Sequence, residues 1–321
     1  MLRYKVIANP TANHGNSARS IPIIEQMLKD LRVDFELVQT EYPQHAIQLA
    51  EVSASEGFNA VVAIGGDGTV NEILNGLMKT HLKGDGPACL GVIPTGRGND
   101  FAFSMGIPTD IVTSCLALVA EKRHLIDIGR VSGGNFPQGR FFGNGVGIGF
   151  DAVVGFEAAK MTWLSGFANY AVSALRTMYL YDKAPLLQVE LDDRLFVQPC
   201  LLISIMNGRR MGGGFLMAPD SKPNDGLFDL CIARQMSKSR VLSMIPRFIK
   251  GTQAQSPEIS MARSKRVKVT ALQGSIPAHS DGETLCTAGE SLTIDLLPQQ
   301  VELIISFLQS ETPQNESGPI R

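Results

Sequence analysis

Short apolar runs alternate with segments of helical periodicity through the first third of the chain, and this order limits the fold more than any other feature. The apolar runs include "YKVIAN", "AVVAIGG" and "CLGVIP", and the helical segments include "IPIIEQMLKDL" and "VNEILNGLMK". A β-α-β-α-β order implies a doubly wound parallel sheet, whose ligand-binding loops lie at the carboxyl ends of the strands. We predict such an α/β domain over residues 1–128.

The rest of the chain has a different pattern, in which strand-like runs have a period of two residues. The period is clear in "LLQVELDDRLFVQPCLLISIMNG" on both sides of Asp192 and Asp193, as expected for a hairpin. Helical stretches are predicted at residues 157–181 and 237–250. Because strands joined by hairpins pair in opposite directions, we predict a mainly antiparallel domain over residues 129–299.

Three segments bear on order and location. The apolar start "MLRYKVIANP" passes directly into a turn, which argues against a signal sequence. Residues 161–175 carry no charge, but they are fewer than the roughly 20 apolar residues that span a bilayer. Residues 300–310 are predicted to return to the first domain, and the polar residues 310–321 are predicted to be disordered.

Composition narrows the class of protein. A hydrophobic content of 44% is sufficient for globular cores, and a net charge of −2 offers no general attraction to nucleic acid. The five cysteines are scattered and include no CxxC pair, which argues against a disulfide framework and a zinc site. We therefore expect a cytoplasmic protein without a nucleic-acid partner.

A glycine-rich loop follows an apolar strand in "VVAIGGDGTVNEILNGL", residues 61–77. Glycine lets backbone N–H groups approach a ligand, and the next helix offers unpaired amides and a partial positive charge to phosphate oxygens. Asp67 within the loop implies a cation such as Mg²⁺, because a carboxylate alone would repel a phosphate. A tight turn in which Asp67 caps the helix is the alternative.

A second loop, "VIPTGRGNDFAFSMGIP" at residues 92–108, also places glycines, a Thr and an Asp after a strand. Two such loops at neighbouring strand ends are more readily explained as one phosphate site than as two unrelated turns. Their spacing matches neither the dinucleotide pattern G-x-G-x-x-G nor the P-loop pattern G-x-x-x-x-G-K-[ST]. This argues against an NAD(P)-dependent oxidoreductase and against a P-loop enzyme.

Six motifs together resemble the diacylglycerol kinase catalytic-domain family, most closely its bacterial soluble lipid-kinase branch, which includes relatives of sphingosine and ceramide kinases. The similarity runs from residue 5 to about residue 300. It implies a nucleotide in the cleft between an α/β domain and an antiparallel β-sandwich domain that binds the lipid. The motifs are "NP" at 9–10, "GGDGTVNE" at 65–72, "PTGRGNDFA" at 94–102, "GNGVGIGFDA" at 143–152, "GGGFLMAPDSKPNDGLFDL" at 212–230 and "DGE" at 281–283.

The resemblance implies transfer of the γ-phosphoryl group of ATP to a lipid hydroxyl. Thr40 also ends a predicted strand, where this fold class places ligand contacts, although an ordinary strand-end Thr is the alternative. The implied ATP contacts are Asn9, Pro10, Thr11, Ala12, Asn13, Thr40, Gly66, Asp67, Gly68, Thr69, Val70, Asn71, Glu72 and Thr95.

Phosphoryl transfer requires charge neutralisation, alignment and a group that takes the hydroxyl proton. By resemblance, Asp67 and Asp100 organise the catalytic Mg²⁺, and Asp127 at the end of "HLIDIG" joins them. The late "DGE" motif carries the base, so Asp281 and Glu283 compete for that role. A plain hairpin turn is the alternative for Asp281.

A second cation is implied in "DSKPNDGLFD". Relatives that resemble this chain hold a structural Mg²⁺ or Ca²⁺ here, which would be bound by the Lys222 carbonyl, the Asp225 carboxylate and the Leu227 carbonyl. A type I turn closed by Asn224, Asp225 and Gly226 is the alternative.

The chain departs from the family pattern at two loops. In "NPTANHG" Asn13 replaces a glycine and His14 stands where a lysine is usual, and Arg97 replaces a frequent threonine in the second loop. His14, Arg19 and Arg97 are candidates for positive charge beside ATP, with a solvated surface role as the alternative.

We expect an ATP- and Mg²⁺-dependent lipid kinase that acts on diacylglycerol or a related lipid alcohol and associates transiently with a membrane surface. The segment at residues 161–175, which contains Trp163, either packs in the core or contacts the lipid. A kinase of a soluble acceptor, like the NAD kinases that share the "GGDGT" loop, and a non-catalytic nucleotide sensor are the alternatives. Homodimerisation stays open.

Overall fold

A computed structural model describes residues 2–84, 89–161, 166–181 and 183–305. Trp163 lies outside these residues, as do residues 306–310 of the segment 300–310 and the tail at residues 310–321. Within the described part of the chain, no helix combines the length and the hydrophobicity that crossing a bilayer requires.

The first part of the chain folds into a parallel sheet covered by helices on both faces, since each apolar run is followed by an amphipathic segment. In chain order the elements are β1 (Arg3–Ala8), α1 (Ser17–Asp30), β2 (Asp34–Gln39), α2 (His45–Ser55), β3 (Ala60–Gly65), α3 (Asp67–His81), β4 (Cys89–Pro94), α4 (Asp100–Met105) and α5 (Ile111–Ala120).

The sheet order in this domain is β2-β1-β3-β4, with every pair parallel. Helices α2, α3 and α4 pack on one face through residues such as Ile73 and Phe101, and α1 and α5 pack on the other through Ile24 and Leu118. All residues of β3 are buried, because helices cover this strand on both sides. The predicted doubly wound α/β fold is confirmed.

The second part of the chain is mainly antiparallel. Its elements are β5 (Arg123–Gly133), β6 (Phe136–Phe142), β7 (Gly145–Gly149), α6 (Phe150–Lys160), α7 (Gly166–Leu180), β8 (Leu186–Glu190), β9 (Leu195–Met206), β10 (Phe228–Arg234), α8 (Lys238–Lys250), a 3-10 turn (Gln253–Gln255), β11 (Ile259–Ser264), β12 (Arg266–Gln273), β13 (Ile276–Ser280), β14 (Glu283–Gly289) and β15 (Ser291–Ile304).

These strands form two layers of a β-sandwich. One layer has the order β14-β13-β7-β9-β10-β11, and the other runs from β9 through β8, β12 and β15 to β5 and β6. The rings of Phe142 and Phe228 stack between the layers, with their centroids 5.7 Å apart. Both residues are fully buried, so the sandwich has its own core. The predicted antiparallel sandwich is also confirmed.

Strand β15 joins the sandwich to the parallel sheet. It pairs with β12 and β5 in the sandwich, and beyond an irregularity between Leu297 and Val301 it runs parallel to β4 at Glu302 and Leu303. Strand β5 pairs with β15 in antiparallel orientation, both in the sandwich and beyond the irregularity. The two domains therefore share a continuous two-stranded ribbon, whereas their exact limits stay a prediction.

The helical prediction at residues 157–181 is wrong in its limits. The structure has two helices there, and α6 already begins at Phe150. The reason is a sharp turn at Gly149, whose φ of 84° ends β7 and starts the helix at once. The prediction at residues 237–250 matches α8, which Ser237 caps by accepting a hydrogen bond from Arg240 N at 3.3 Å.

Candidate active site

A cleft of about 730 Å³ lies between the two domains, a volume in the range of small-molecule sites. The first domain contributes the turn after β1 and the two glycine loops after β3 and β4. The second contributes α6, the start of α7 and the β13–β14 hairpin. The predicted site residues that line the cleft are Asn9, Ala12, Asn13, Gly66, Asp67, Gly68, Thr69, Glu72, Asp100, Asp281 and Glu283.

The two glycine loops touch each other at the floor of the cleft. A Cβ atom built on Gly66 would lie 3.1 Å from the Gly96 Cα, so a side chain at Gly66 would push the loops apart. Helix α3 starts directly after Gly66, and its first three residues, whose amides have no partner within a helix, line the cleft. The floor can therefore hold phosphate oxygens close to backbone N–H groups.

Asp67 and Asp100 begin the helices α3 and α4, and their carboxylates approach the same space. A Cβ atom on Gly98 would lie 3.2 Å from Asp67 Oδ2 and 3.7 Å from Asp100 Oδ2. Asp67 Oδ1 accepts a hydrogen bond from Phe101 N at 2.9 Å, which fixes the carboxylate. Burial, followed by the charge of Asp100, raises the pKa of Asp67 to about 6.

Arg210 holds Asp100 in place from the second domain. Its Nε donates to Asp100 Oδ1 at 2.7 Å, its Nη2 donates to the Gly98 carbonyl at 2.7 Å, and its guanidinium lies over the Phe103 ring. The Gly213 N–H adds a hydrogen bond to Asp100 Oδ2 at 2.9 Å. Contacts from the second domain thus orient a carboxylate of the first.

Asp281 is presented by a two-residue hairpin turn between β13 and β14. Asp281 and Gly282 have φ values of 45° and 86°, as a type I′ Asp-Gly turn requires. The turn directs the carboxylate at the backbone of residues 143–145, where it accepts hydrogen bonds from Gly143 N and Gly145 N at 2.9 Å each. Burial raises its pKa, although these donors oppose the shift. Asp281 is both a hairpin residue and a cleft residue.

An inner pocket adjoins the cleft, and an apolar cavity adjoins that pocket. An inner pocket of about 60 Å³ is lined by Asp67, Asp100 and Asp281 on the cleft side and by Met211 and Gly212 on the other. The same Met211 and Gly212 line a cavity of about 80 Å³ that is otherwise almost entirely apolar. This cavity lies between the sandwich and the helices α6, α7 and α8, and its lining includes Phe150, Leu202, Met244 and Phe248.

The chain matches two family models along almost its whole length. The model of the "Diacylglycerol kinase catalytic domain" matches residues 3–131, and that of the "YegS C-terminal NAD kinase beta sandwich-like domain" matches residues 144–305. The chain belongs to the diacylglycerol kinase catalytic-domain family. The resemblance predicted from the motifs is confirmed, and the membership identifies a kinase.

Curated relatives agree with this membership, and a solved structure has the same fold. The diacylglycerol kinase of Mycobacterium tuberculosis (strain ATCC 25618 / H37Rv) is 28% identical over 96% of this chain and 94% of its own length. The diacylglycerol kinase of Bacillus subtilis (strain 168) is 28% identical over 88% of this chain and 90% of its own length. A crystal structure of a diacylglycerol kinase from Bacillus anthracis str. Sterne has the same fold, with a TM-score of 0.72, 20% identity and coverage of 94% of this chain and 96% of that one.

The kinase family implies a divalent cation with ATP, and the cleft residues fit one. Asp67 and Asp100 turn one oxygen each toward the space at Gly98. Within the described residues, no group of three or more acidic, His or Cys side chains is arranged as a metal site. Two carboxylates suffice for Mg²⁺, which keeps several waters and takes its other ligands from substrate phosphates.

Several residues that are predicted to contact ATP make hydrogen bonds to other parts of the protein. Asn71 is buried, where its Nδ2 donates to the Phe141 carbonyl and to Asp281 Oδ2, at 3.1 and 3.3 Å. Glu72 lines the cleft, but its oxygens accept from Gln44 N and Ala46 N at the start of α2, and burial raises its pKa.

The strand-end threonines lie behind the cleft lining. Thr40 N donates to the Ala8 carbonyl, and Thr95 N donates to the Gly65 carbonyl, each at 2.9 Å. These bonds continue the pairing of the parallel strands beyond their ends. Pro10, Thr11 and Val70 are likewise outside the described lining of the cleft.

The predicted catalytic role of Asp127 is not supported. This residue is buried outside the cleft lining, where its oxygens accept hydrogen bonds from Gly226 N at 2.7 Å and Gln299 N at 2.8 Å. Burial raises its pKa. Asp127 joins the turn at residues 222–227 to β15, so its position is explained by packing.

The structural cation at Lys222, Asp225 and Leu227 stays a prediction, and in this structure Asp225 has a cationic side chain as its partner. The Arg263 guanidinium contacts the Asp225 carboxylate and also lies 3.3 Å from Asp229 Oδ1, so the charge of Asp225 is already paired. Asp225 Oδ1 accepts from Leu227 N at 3.2 Å and closes the turn. No step of the reaction is assigned to a cation at Lys222, Asp225 and Leu227.

The departures from the family pattern have separate outcomes. Asn13 adopts a φ of 53°, and Asn tolerates this left-handed conformation better than most residues, so it can replace glycine there. Arg97 lines the cleft and can supply positive charge. His14 and Arg19 are exposed residues outside the described cleft lining.

Four residues to which the sequence analysis assigned no role also contribute to the site. Arg210 holds Asp100, and Asn144 N donates to Asp281. His279 and Asp151 meet above Gly147, with His279 Nε2 3.9 Å from Asp151 Oδ2 and without a hydrogen-bond partner among the described residues. In the sequence, all four residues lie close to glycines, in "NGRRMGGG", "GNGVGIGFD" and "AHSDGE". Their partners are distant in the chain, so the sequence does not indicate which residues they contact.

Proposed function

We propose that this protein transfers the γ-phosphoryl group of ATP, with Mg²⁺, to the hydroxyl of diacylglycerol or a chemically similar lipid alcohol. The observation that supports this reaction is the succession of three spaces. The polar cleft shares Asp67, Asp100 and Asp281 with an inner pocket, and that pocket shares Met211 and Gly212 with an apolar cavity. The order matches an ATP, a reacting hydroxyl and an acyl chain.

At the nucleotide end, the N-terminal amides of α3 at Gly68 and Thr69 would bind the phosphates of ATP. Asp67 and Asp100 would hold the Mg²⁺ against these phosphates, and the ion would neutralise charge that develops on the transferred group. Arg210 keeps the Asp100 carboxylate in place, so this chain supplies a prearranged binding geometry.

At the acceptor end, the lipid hydroxyl would lie at the junction of Gly212 and Asp281. Asp281 has a raised pKa and a fixed orientation, which suits it to take the hydroxyl proton. Its contact with Asn71 Nδ2, at 3.3 Å, comes from a side chain and not from the backbone, and an acceptor hydroxyl would replace this contact. Glu283 lines only the outer cleft, so Asp281 is our choice of base.

The apolar cavity is the reason to favour a lipid over a soluble acceptor. Residues such as Phe150, Met244 and Phe248 would offer nothing to the charged groups of a dinucleotide. The cavity of about 80 Å³ holds part of an acyl chain, so α7 and α8 would separate as a lipid enters. The five buried free thiols suit a reducing, cytoplasmic environment.

The test is transfer of labelled γ-phosphate from ATP and Mg²⁺ to diacylglycerol, phosphatidylglycerol, a sphingoid base and NAD, with the lipids in mixed micelles. We expect label in a lipid alcohol, and a loss of about 10²–10⁴-fold in rate for Asp281→Asn. Asp193→Asn, on an exposed turn, is the matched control and should keep the full rate. Label in NAD alone would move the assignment to a soluble acceptor, and ATP binding without any transfer would indicate a sensor.

A further inference from the structure

Helix α8 has apolar residues on both of its long faces. Met244 and Phe248 face inward and line the apolar cavity. Leu242, Pro246 and Ile249 follow helical spacing on the outer face and are exposed, with Leu242 at 43% and Ile249 at 40%. Because an ordinary surface helix has one apolar stripe, the outer stripe requires a separate explanation.

Helix α7 presents a second exposed stripe beside the first. Val172, Leu175 and Tyr179 lie at helical spacing on its outer face, and Tyr179 is 76% exposed. The Tyr179 ring contacts the Lys238 ammonium at the start of α8, at 5.0 Å from the ring centroid. The two outer stripes therefore lie on neighbouring helices, and together with their basic residues we call them the α7–α8 face.

The charge of this face has one sign. Helices α7 and α8 contain no Asp or Glu, and α8 carries Lys238, Arg240, Arg247 and Lys250. Arg240 is paired with Glu258. Among the described residues, Lys238, Arg247 and Lys250 make no ion pair, so their charges are available to an anionic partner.

We propose that the α7–α8 face docks on the surface of an anionic lipid bilayer. A bilayer supplies what the face lacks, namely an apolar layer for Leu242, Ile249 and Tyr179 and anionic headgroups for the flanking cations. The inner sides of the same helices line the apolar cavity, so docking would place the cavity next to the membrane. The inference rests on the proposed function, because it explains how a lipid would reach the cavity.

The positive charge of the α7–α8 face favours an anionic bilayer over a second copy of this chain as its partner. An interface between two such faces would bring unpaired cations against one another, which is unfavourable. The exposed stripe of α5 at Val112, Leu116 and Val119 provides a contrast within the molecule, since α5 contains no cation. The α7–α8 face differs from the exposed stripe of α5 because it has cations beside its apolar residues.

The test is sedimentation of the full chain with vesicles that contain no acceptor, in the absence of ATP. We expect binding to equimolar phosphatidylglycerol and phosphatidylcholine, and little binding to phosphatidylcholine alone. The triple variant Lys238→Gln, Arg247→Gln, Lys250→Gln should bind roughly 100-fold more weakly. The variant Leu242→Gln, Ile249→Gln should bind roughly 10-fold more weakly.

Matched variants exist elsewhere on the surface. Val112→Gln with Val119→Gln removes two exposed apolar residues at the same spacing as Leu242 and Ile249, and should leave vesicle binding unchanged. Removal of three exposed cations at Arg32, Lys83 and Lys265 should change the binding little. Equal losses in the control and test variants would overturn the proposal.

Two further results would contradict this docking surface. Absence of vesicle binding by the unaltered chain would favour a protein partner. Dimerisation that is lost in Leu242→Gln, Ile249→Gln would instead assign the face to a second copy. Turnover of a monomeric short-chain diacylglycerol tests the proposed function separately, and the docking variants should retain it. Vesicle binding without any lipid turnover would support docking and reject the proposed transfer to a lipid.

Discussion

Asp67 is subject to opposing effects at the floor of the cleft. The start of α3 and the Phe101 N–H favour its charged form, but burial and the neighbouring Asp100 raise its pKa to about 6. An ordinary Asp in an unfolded chain has a pKa near 3.9. The folded protein therefore holds this carboxylate in an unfavourable charged state at neutral pH, which a bound cation would relieve.

The stability of the protein should consequently fall as pH rises from about 4 to about 6, because the folded state binds the Asp67 proton more tightly than the unfolded state. We expect Asp67→Asn to raise the free energy of unfolding at neutral pH by about 1 kcal/mol, since the amide removes the charge and still accepts from Phe101 N. Phosphoryl transfer should nevertheless fall by about 10²-fold or more.

Urea unfolding of the unaltered protein and of Asp67→Asn, at pH values near 4 and near 7, measures the change in the free energy of unfolding. In a separate measurement, the activity of the unaltered enzyme should decline below a pH of about 6. A gain for Asp67→Asn of the same size at both pH values would show that charge is not its cause.

At the scale of elements, Arg263 connects β11 to β10 and to the turn that precedes it. It pairs with Asp229 across the two strands and with Asp225 in the turn. Burial raises the pKa of Asp229, which makes the nearby guanidinium important for its charged form. Arg263 thus neutralises a carboxylate, Asp225, to which the family resemblance assigned a cation.

Arg263→Gln should lower the free energy of unfolding by about 1 kcal/mol, because two carboxylates lose their cationic partner at a partly exposed site. Millimolar Mg²⁺ or Ca²⁺ should restore part of this loss in the variant and add less to the unaltered protein. Arg266→Gln, which breaks a more exposed pair with Asp295, is the control and should show no such rescue. If the cation stabilised the unaltered protein and both variants equally, this would contradict the idea that Arg263 takes the place of a cation.

The whole molecule is held together by the ribbon of β5 and β15. Ile294 of β15 is buried in the sandwich core, and Val301 of the same strand is buried in the core of the parallel sheet. Strand β5 accompanies β15 through both regions. Disruption of one sheet therefore removes a strand from the other.

We expect the described domains to unfold in one cooperative transition. Ile294→Ala and Val301→Ala should each lower the same melting temperature, with losses of about 2–4 kcal/mol for the larger deletion. Circular dichroism would measure the thermal transition, and hydrogen exchange of strands in each sheet would show whether both sheets unfold together. Two transitions, each moved by only one of the variants, would show independent domains.

The parallel sheet, the helices between its strands and the two glycine loops were predictable from the sequence alone. Apolar runs and helical spacing predict β1 to β4 and their helices, and two loops rich in glycine predict a ligand site at the strand ends. These signals are local, because periodicity records which side of an element is buried. The Asp-Gly pair at residues 281–282 likewise predicts its hairpin.

The contacts between side chains from distant parts of the chain were not predictable in this way. Asp281 reaches the amides of residues 143–145, Arg210 holds Asp100, and Asp127 turns away from the cleft toward Gly226 and Gln299. The apolar cavity exists only between helices and strands that are distant in the chain. Such contacts depend on how the two domains pack across the shared ribbon, and local sequence patterns carry no record of that packing.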